Sequence, residues 1–203
     1  MKETGSIKFN CTWIKADPMD DGLIKDLNGW RDKLYQAGLI GVNDEGIGFG
    51  NISIRYKKNS FIISGSGTGK LEKLSNENFT LVTEIDLDEN SLVAKGPMIA
   101  SSESLTHGVI YKHSKNVNAV MHVHNLALWV KLLKTHPHTK AKVEYGTPAM
   151  AKEVIRLFDE TPLPDHKIFG MGGHYEGVIS FGKNLDEAGK ILMDLLVQAE
   201  TKR

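Results

Sequence analysis

The segment MHVHNLALW, residues 121–129, places two histidines two positions apart inside an otherwise apolar run. A β-strand points alternate side chains to the same face, so His122 and His124 would lie together while Met121 and Val123 point the other way. Such a pair either binds a ligand, for example a metal ion, or gives polarity to the exposed face of a half-buried strand. This segment alone leaves both interpretations open.

Length and composition limit the class of protein. The chain has 203 residues, 40% of them hydrophobic and 25% charged, which is typical of one soluble domain with a full core. Its 25 basic and 25 acidic residues cancel, so nucleic acid is not an expected partner. The sequence lacks an apolar run long enough for a membrane span and a recognisable signal segment, and it contains only one cysteine, Cys11. We therefore expect a cytoplasmic protein without a membrane anchor.

Helical and strand patterns alternate along the chain. A first helix is expected from Leu23, Leu27, Trp30 and Leu34, which recur at helical spacing before Gly38. Short β-rich segments follow at 51–55, 60–64, 79–86 and 91–94, with the spacing of an antiparallel meander. Later segments predict strands at 117–124 and 177–182 and helices at 101–114, 125–134, 147–158 and 184–200. The pattern predicts a layered α/β fold whose sheet is mostly antiparallel in its first half.

The helix predicted at 101–114 opens with polar residues. Ser101 or Ser102 is expected to be its N-cap, and Glu103 is expected in its first turn. Because this helix precedes the strand with the two histidines, it could bring a carboxylate to them. A third histidine would complete the usual ligand set of a catalytic metal ion. His174 is our candidate, since the glycines around it allow close backbone approach, whereas the other histidines fall on predicted loops, turns or helix faces.

Two glycine-rich segments could bind an anion. They read GIGFGNISIR (46–55) and ISGSGTGKLEKL (63–74), and such loops can direct several backbone N–H groups and hydroxyls at one phosphate. The second segment lacks the spacing of a Walker A loop, and each segment alone is also compatible with a simple hairpin turn. Ser101 and Ser102 strengthen the anion interpretation, because a helix N-terminus also favours negative charge.

Five segments together resemble the class II aldolase/adducin family, in the same order and at similar spacing. They are GFGNISIR, SGSGTGKLEKL, ASSESLTHGVIY, NAVMHVHN and GHYEGVISFG, and the resemblance covers roughly residues 23–200. It implies a three-layer α/β/α fold around a mostly antiparallel sheet, homotetramers, and a divalent metal, commonly zinc, held by three histidines. The related enzymes cleave or rearrange phosphorylated sugars through a metal-stabilised enediolate.

The resemblance also implies roles for particular residues. The metal ligands would be His122, His124, His174 and Glu103, although many members carry the third histidine at the place of Glu176, which is therefore the alternative to His174. Glu103 would also move a proton, and Tyr145 matches a loop that carries a proton-donating tyrosine. The residues expected to bind phosphate are Asn51, Ser66, Gly67, Ser101 and Ser102.

The expected function is that of a metal-dependent aldolase-type lyase acting on a small phosphorylated sugar. Zinc is the expected ion, with manganese or another divalent ion as the alternative. An epimerase or dehydratase on the same scaffold and a non-catalytic module similar to adducin are the competing hypotheses. We expect one domain over residues 1–203, in which residues 1–20 form an N-terminal extension to which the sequence assigns no function.

Overall fold

The structure is a computed structural model, and it describes residues 7–201. The strands in that range are β1 (Asn10–Lys15), β2 (Gly41–Val42), β3 (Gly48–Phe49), β4 (Asn51–Arg55), β5 (Phe61–Ser64), β6 (Phe79–Asp86), β7 (Ser91–Gly96), β8 (Ala119–His124), β9 (Ile168–Gly170) and β10 (Gly177–Gly182). The helices are α1 (Asp21–Gln36), α2 (Ser104–His113), α3 (Leu126–Thr135), α4 (Pro148–Glu160), α5 (Leu163–His166) and α6 (Leu185–Glu200).

One large sheet organises the protein, with the strand order β1-β7-β6-β5-β4-β8-β10-β9. Strands β4 to β7 form the predicted antiparallel meander, and β8 and β10 continue it with antiparallel pairing. Only β1 runs parallel to its neighbour, β7, among the pairs of this sheet in the described range. The expectation of a mostly antiparallel sheet is therefore confirmed.

Helices cover both faces of this sheet. One core contains Leu105 and Val109 of α2 with Val154 of α4, and the opposite core contains Leu27 of α1 with Leu192 of α6. Successive residues of β8 divide between them, since Val120 belongs to the first core and Met121 to the second. The three-layer α/β/α architecture is confirmed.

The first helix forms where the spacing of Leu23, Leu27, Trp30 and Leu34 predicts it, as α1. Leu23 is 46% exposed, whereas Ile24, Leu27, Arg31 and Leu34 are buried. The buried stripe of α1 therefore begins at Ile24 and not at Leu23. Arg31 can be buried although it is charged, because its guanidinium donates hydrogen bonds to backbone carbonyls of the loop that follows β5.

Helix α2 begins later than predicted. It starts at Ser104, so Glu103 is the N-cap and not a residue of the first turn. The hydroxyl and the N–H of Ser104 both donate to the carbonyl of Ser101, at 2.7 and 3.0 Å. This local turn keeps residues 101–103 outside the helix, between its first turn and the sheet edge.

The N-terminal region contributes a strand that the sequence pattern did not predict. Residues 10–15 form β1 and add an edge strand to the main sheet, while residues 1–6 of the predicted extension lie outside the described residues. Within residues 7–201, no helix combines the length and the apolar character needed to cross a membrane.

Candidate active site

The two histidines of β8 lie together at its carboxyl end. His122 and His124 are 1% and 7% exposed, and Met121 and Val123 pack in the core on the other face of the sheet. The hypothesis that the pair only gives polarity to an exposed strand face is therefore wrong. Two imidazoles buried side by side need a specific partner, because burial of polar groups without one is costly.

His174 joins the pair from the loop between β9 and β10. Its Nε2 atom lies 3.2 Å from Nε2 of His122 and 3.1 Å from Nε2 of His124. The glycines that precede it explain how it arrives there: a Cβ at Gly173 would lie 1.7 Å from the carbonyl oxygen of Val143, so the loop packs backbone against backbone. Any larger residue at position 173 would displace the loop that carries His174.

The spacing of the three nitrogen atoms suits a divalent metal ion. Three imidazoles bound to zinc at the usual tetrahedral angles and at ~2.0–2.1 Å place their nitrogen atoms about 3.3 Å apart. The observed separations of 3.1 and 3.2 Å are close to that value. These histidines form the one group of at least three potential ligands that converge within 4.8 Å in residues 7–201. The residues present therefore fit a divalent metal ion.

The environment keeps the imidazoles of His122 and His124 in the neutral form that binds metal. Burial, with the neighbouring imidazoles as a second cause, holds the pKa of His122 well below its ordinary value, and the same causes lower the pKa of His124. Nδ1 of His122 lies 3.2 Å from the carbonyl oxygen of Val178, and a carbonyl can only accept a hydrogen bond. Nδ1 must therefore carry the proton in that bond, which leaves the Nε2 lone pair directed at the common centre.

The first glycine segment places Asn51 beside the histidines. Asn51 of β4 pairs directly with His122 of β8 in the antiparallel ladder, so both side chains lie on the same face of the sheet. Asn51 is 6% exposed, and its Oδ1 atom has no hydrogen-bond partner among the described residues. Gly50 precedes it with a φ of +77°, and a Cβ there would lie 2.7 Å from the Ile40 side chain. The turn before Asn51 therefore requires glycine.

The second glycine segment packs against the first and against the start of α2. A Cβ at Gly69 would lie 2.6 Å from the carbonyl oxygen of Phe49, so the two glycine loops touch through their backbones. The N–H of Ser66 donates to the carbonyl of Ile99 at 3.0 Å, and Gly65 forms a β-bridge with Ala100. These bonds bring Ser66 and Gly67 next to the segment of Ser101 and Ser102, although the two segments are distant in the sequence.

Arg31 of α1 binds the backbone of the second glycine loop. Its guanidinium donates to the carbonyl oxygen atoms of Thr68 at 3.0 Å and Glu72 at 2.8 Å, and it also contacts the carbonyl of Leu71. The side chain is 1% exposed, and desolvation lowers the pKa of Arg31 from its ordinary value. A buried arginine bound to backbone carbonyls fixes the shape of a loop, because each carbonyl would otherwise lose its partner.

Glu103 and Tyr145 complete the set of predicted residues. Glu103 is 2% exposed at the N-cap of α2. The ring of Tyr145 stacks on the ring of His174 with centroids 4.2 Å apart. Gly146 follows Tyr145 with a φ of +68°, and a Cβ there would lie 2.9 Å from the carbonyl oxygen of Ser102. The loop with Tyr145 is thus packed against the segment with Glu103.

The predicted site residues line one cavity of about 220 Å³. The predicted residues in its wall are Asn51, Ser66, Gly67, Ser101, Ser102, Glu103, His122, His124, Tyr145 and His174. Glu176, the alternative third ligand, is not part of this wall; its carbonyl accepts the N–H of Asn125 at 3.1 Å. The volume lies below the usual range of ligand pockets, about 300–1,000 Å³, and suits a compact substrate.

Sequence reasoning missed some residues of the wall. Phe49 lies with its ring 5.1 Å from the ring of His124, and Thr68 donates from its hydroxyl to the carbonyl of Gly65 at 2.8 Å. Both lie inside the glycine-rich segments that were singled out. Phe49 lies two residues before Asn51, and Thr68 lies two residues after Ser66, which could have suggested them. The sequence does not show whether their side chains point into the cavity, because that depends on how the loops fold.

Comparison with known protein families matches residues 42–201 to the Class II Aldolase and Adducin N-terminal domain. The chain belongs to the class II aldolase and adducin family. The match covers the strands and loops that carry the cavity described above, and β1 and α1 lie before it.

Relatives of this class II aldolase family member include the probable L-ribulose-5-phosphate 4-epimerase of Mycoplasma pneumoniae. It is 31% identical over 111 residues, which are 53% of this chain, and the chain spans 42% of the length of that relative. The structure is similar to L-fuculose-1-phosphate aldolase from Thermus thermophilus, with a TM-score of 0.66 and 21% identity over 90% of this chain and 93% of that one. A sugar-phosphate aldolase from Thermotoga maritima gives a TM-score of 0.66 and 17% identity over 89% and 93% of the two chains.

Proposed function

We propose that this protein is a metal-dependent aldolase-type lyase that acts on a small phosphorylated sugar. The observation that carries the proposal is the convergence of three buried imidazole Nε2 atoms in the cavity that Glu103 and both glycine loops also line. The family and the names of the similar proteins support a sugar phosphate as the substrate class.

In this proposal His122, His124 and His174 hold a divalent ion, with zinc as the first candidate because nitrogen ligands at tetrahedral spacing suit it. When bound, such an ion acts as a Lewis acid that stabilises the negative charge developing on a ketose phosphate as a neighbouring bond breaks. Because the three histidines are buried, electrostatic interactions with a bound ion are stronger there than in bulk water.

The chain's own residues then position the substrate and move protons. Glu103 is the proposed base, with a buried carboxylate that faces the same cavity as the histidines. It is not part of the converging group of three histidines, so its expected role as a further metal ligand stays a prediction. Tyr145, stacked on His174, is the proposed proton donor.

The phosphate is proposed to bind in the same cavity, between the two glycine loops and the segment of Ser101 and Ser102. Its donors are backbone N–H groups and neutral side chains of Asn51, Ser66, Gly67, Ser101 and Ser102, which the fold gathers from separate segments. Binding there would hold the reacting carbons near the three histidines through contacts remote from the bond that breaks.

An epimerase of a sugar phosphate is the second candidate. The observation that favours it is the 31% identity over 111 residues with a protein named as an L-ribulose-5-phosphate 4-epimerase. Both reactions require charge stabilisation next to a carbonyl, so they share the metal and differ in contacts with the rest of the substrate. A homotetramer and a cytoplasmic location stay predictions.

The test is turnover of ketose phosphates by the zinc-loaded and the manganese-loaded protein. Pentulose and hexulose phosphates are incubated with each form, and the masses of the products are measured by mass spectrometry. Aldol cleavage gives two lighter fragments, epimerisation leaves the mass unchanged, and dehydration removes the mass of one water. We expect cleavage. No metal bound and no substrate converted would overturn the enzyme proposal and favour the interaction module.

A further inference from the structure

The N-terminal segment 7–15, which precedes the region matched by the family, reaches the candidate active site. Its strand β1 pairs in parallel with β7, from Asn10 opposite Ser91 to Lys15 opposite Gly96. Phe9, directly before the strand, is 7% exposed and belongs to the core beside α2 and α4. The segment is thus built into the sheet and into the core.

The backbone at Lys8 is held on both sides by Asn90. The side-chain Nδ2 of Asn90 donates to the carbonyl of Lys8 at 2.8 Å, and the N–H of Asn10 donates to the carbonyl of Asn90 at 2.8 Å. Asn90 has a φ of +48°, a conformation that asparagine tolerates better than most residues. This bracket and the burial of Phe9 fix the direction in which Lys8 leaves the segment.

The side chain of Lys8 binds one short loop. Its Nζ atom lies 2.9 Å from Oε1 of Glu144, 3.2 Å from the carbonyl oxygen of Tyr145 and 3.4 Å from the centre of the Tyr145 ring. An ammonium group over an aromatic face is attracted by the negative charge density of that face. Lys8 therefore binds both the backbone and the ring of Tyr145.

The Tyr145 ring lies between Lys8 and His174. His174 stacks on the ring with centroids 4.2 Å apart and an interplanar angle of 26°, while Nζ of Lys8 is 3.4 Å from the ring centre. One face cannot hold both groups at these distances, so they occupy opposite faces. Tyr145 is 7% exposed, and Lys8 and His174 on its two faces restrict both tilting and displacement of its ring. Lys8 does not line the cavity itself, so it would act only through Tyr145.

We propose that Lys8 is a positioning residue for Tyr145, and that the N-terminal segment 7–15 serves as an in-chain support of the active site. The expected effect on turnover rests on the proposed function, in which Tyr145 is the proton donor. The contact itself does not depend on that function. A proton donor that is held close to its productive position transfers its proton much faster than one whose position varies.

Variants of Lys8 separate positioning from a general role in folding. Lys8→Met keeps the length and the apolar stem but removes the charge, and Lys8→Arg keeps a cation that can lie over the ring. Glu144→Gln is the matched control: Glu144 is 53% exposed in its ion pair with Lys8, and glutamine keeps an acceptor oxygen, so we expect the contact between Lys8 and the ring to remain. Thermal unfolding shows which variants fold as the original chain does.

The first readout is the NMR spectrum of the tyrosine rings, which needs no substrate. The chain has five tyrosines, so the Tyr145 ring signals can be assigned by their loss in Tyr145→Phe. We expect Lys8→Met to move these signals, and Lys8→Arg and Glu144→Gln to leave them near their original positions. Unmoved signals in a folded Lys8→Met protein would overturn the proposal, whether or not the protein proves to be an aldolase.

The second readout is turnover of the substrate that the panel identifies. Lys8→Met should lower kcat by about tenfold with KM within about twofold, because the donor is displaced while the phosphate and metal contacts remain. Lys8→Arg should restore most of kcat. An unchanged kcat in Lys8→Met, despite moved ring signals, would also overturn the positioning role. If no panel member is converted, the proposed function fails and the ring signals alone decide whether Lys8 orients Tyr145.

Discussion

The two ends of the cavity are built in different ways. At the histidine end, His122 and His124 project from β8, and ladder pairing with β4 and β10 on either side fixes their position. At the glycine end, Ser66 and Gly67 lie on a loop whose shape depends on Arg31 below it and on the carbonyl of Ile99 beside it. The contrast teaches that a strand fixes side chains through a regular ladder, whereas a loop needs individual bonds from distant residues.

The largest effect is expected at the histidine end. The double variant His122→Ala, His124→Ala should lose its stoichiometric metal and reduce turnover by at least about 1,000-fold, because one imidazole cannot hold a catalytic ion. Elemental analysis after zinc supplementation measures the first effect. His138→Ala is the control, since this histidine is exposed and does not line the cavity. Equal zinc contents in the double variant and the original chain would contradict the metal site.

The next effect concerns the buried carboxylate of Glu103. Glu103→Gln keeps the shape and removes the base, so kcat should fall by roughly 100-fold while the protein stays folded. Steady-state kinetics and far-ultraviolet circular dichroism measure the two quantities. Glu77→Gln, at an exposed glutamate in the first turn of another short helical segment, should have no effect on kcat. Normal turnover in Glu103→Gln would leave Glu103 with only its place at the N-cap of α2.

The support of the glycine loop gives a smaller effect. Arg31→Lys keeps the charge but cannot reach the several carbonyls that the guanidinium binds, so inhibition by inorganic phosphate should weaken by about tenfold. The matched control is Arg55→Lys. Arg55 also donates to backbone carbonyls, those of Val117 and Ser114, but away from the cavity.

Arg31→Lys and Arg55→Lys should both lower the free energy of unfolding, while only the first should change inhibition by phosphate. This difference would show that the loop shape, and not general stability, determines anion binding. Equal phosphate inhibition constants for the two variants would refute that dependence and reduce the contrast between the ends of the cavity.

The smallest effect is expected for one donor of the glycine end. Ser102→Ala should weaken phosphate binding by on the order of 1 kcal/mol, the usual size of a lost hydrogen bond. Inhibition by inorganic phosphate gives the value, and Ser91→Ala in β7, outside the cavity wall, is the control. Phosphate inhibition that does not respond to Ser102→Ala would remove this hydroxyl from the proposed anion site.

Much of the fold could be predicted from the sequence, because helix and strand patterns depend on residues that are close together in the chain. Alternation along β8 and the meander of β4 to β7 appear where residue spacing and type predict them. The helices predicted at 125–134, 147–158 and 184–200 also form, with Asn125, Thr147 and Asn184 as their N-caps. The burial of Arg31 could not be predicted in this way. Its partners lie in the loop after β5, distant in the sequence, and only packing of α1 against that loop makes a buried guanidinium favourable.

For the candidate site, the sequence alone determined which residue types were available and that His122 and His124 share one face, because the strand period is local. The tertiary structure alone decided that His174 and not Glu176 stands beside them, since the 171–177 loop is shaped by close packing of Gly172 and Gly173 on a distant segment. It also brought Lys8, from outside the family match, onto Tyr145, 137 positions away. Contacts across such separations depend on chain closure and packing, which no short sequence window contains.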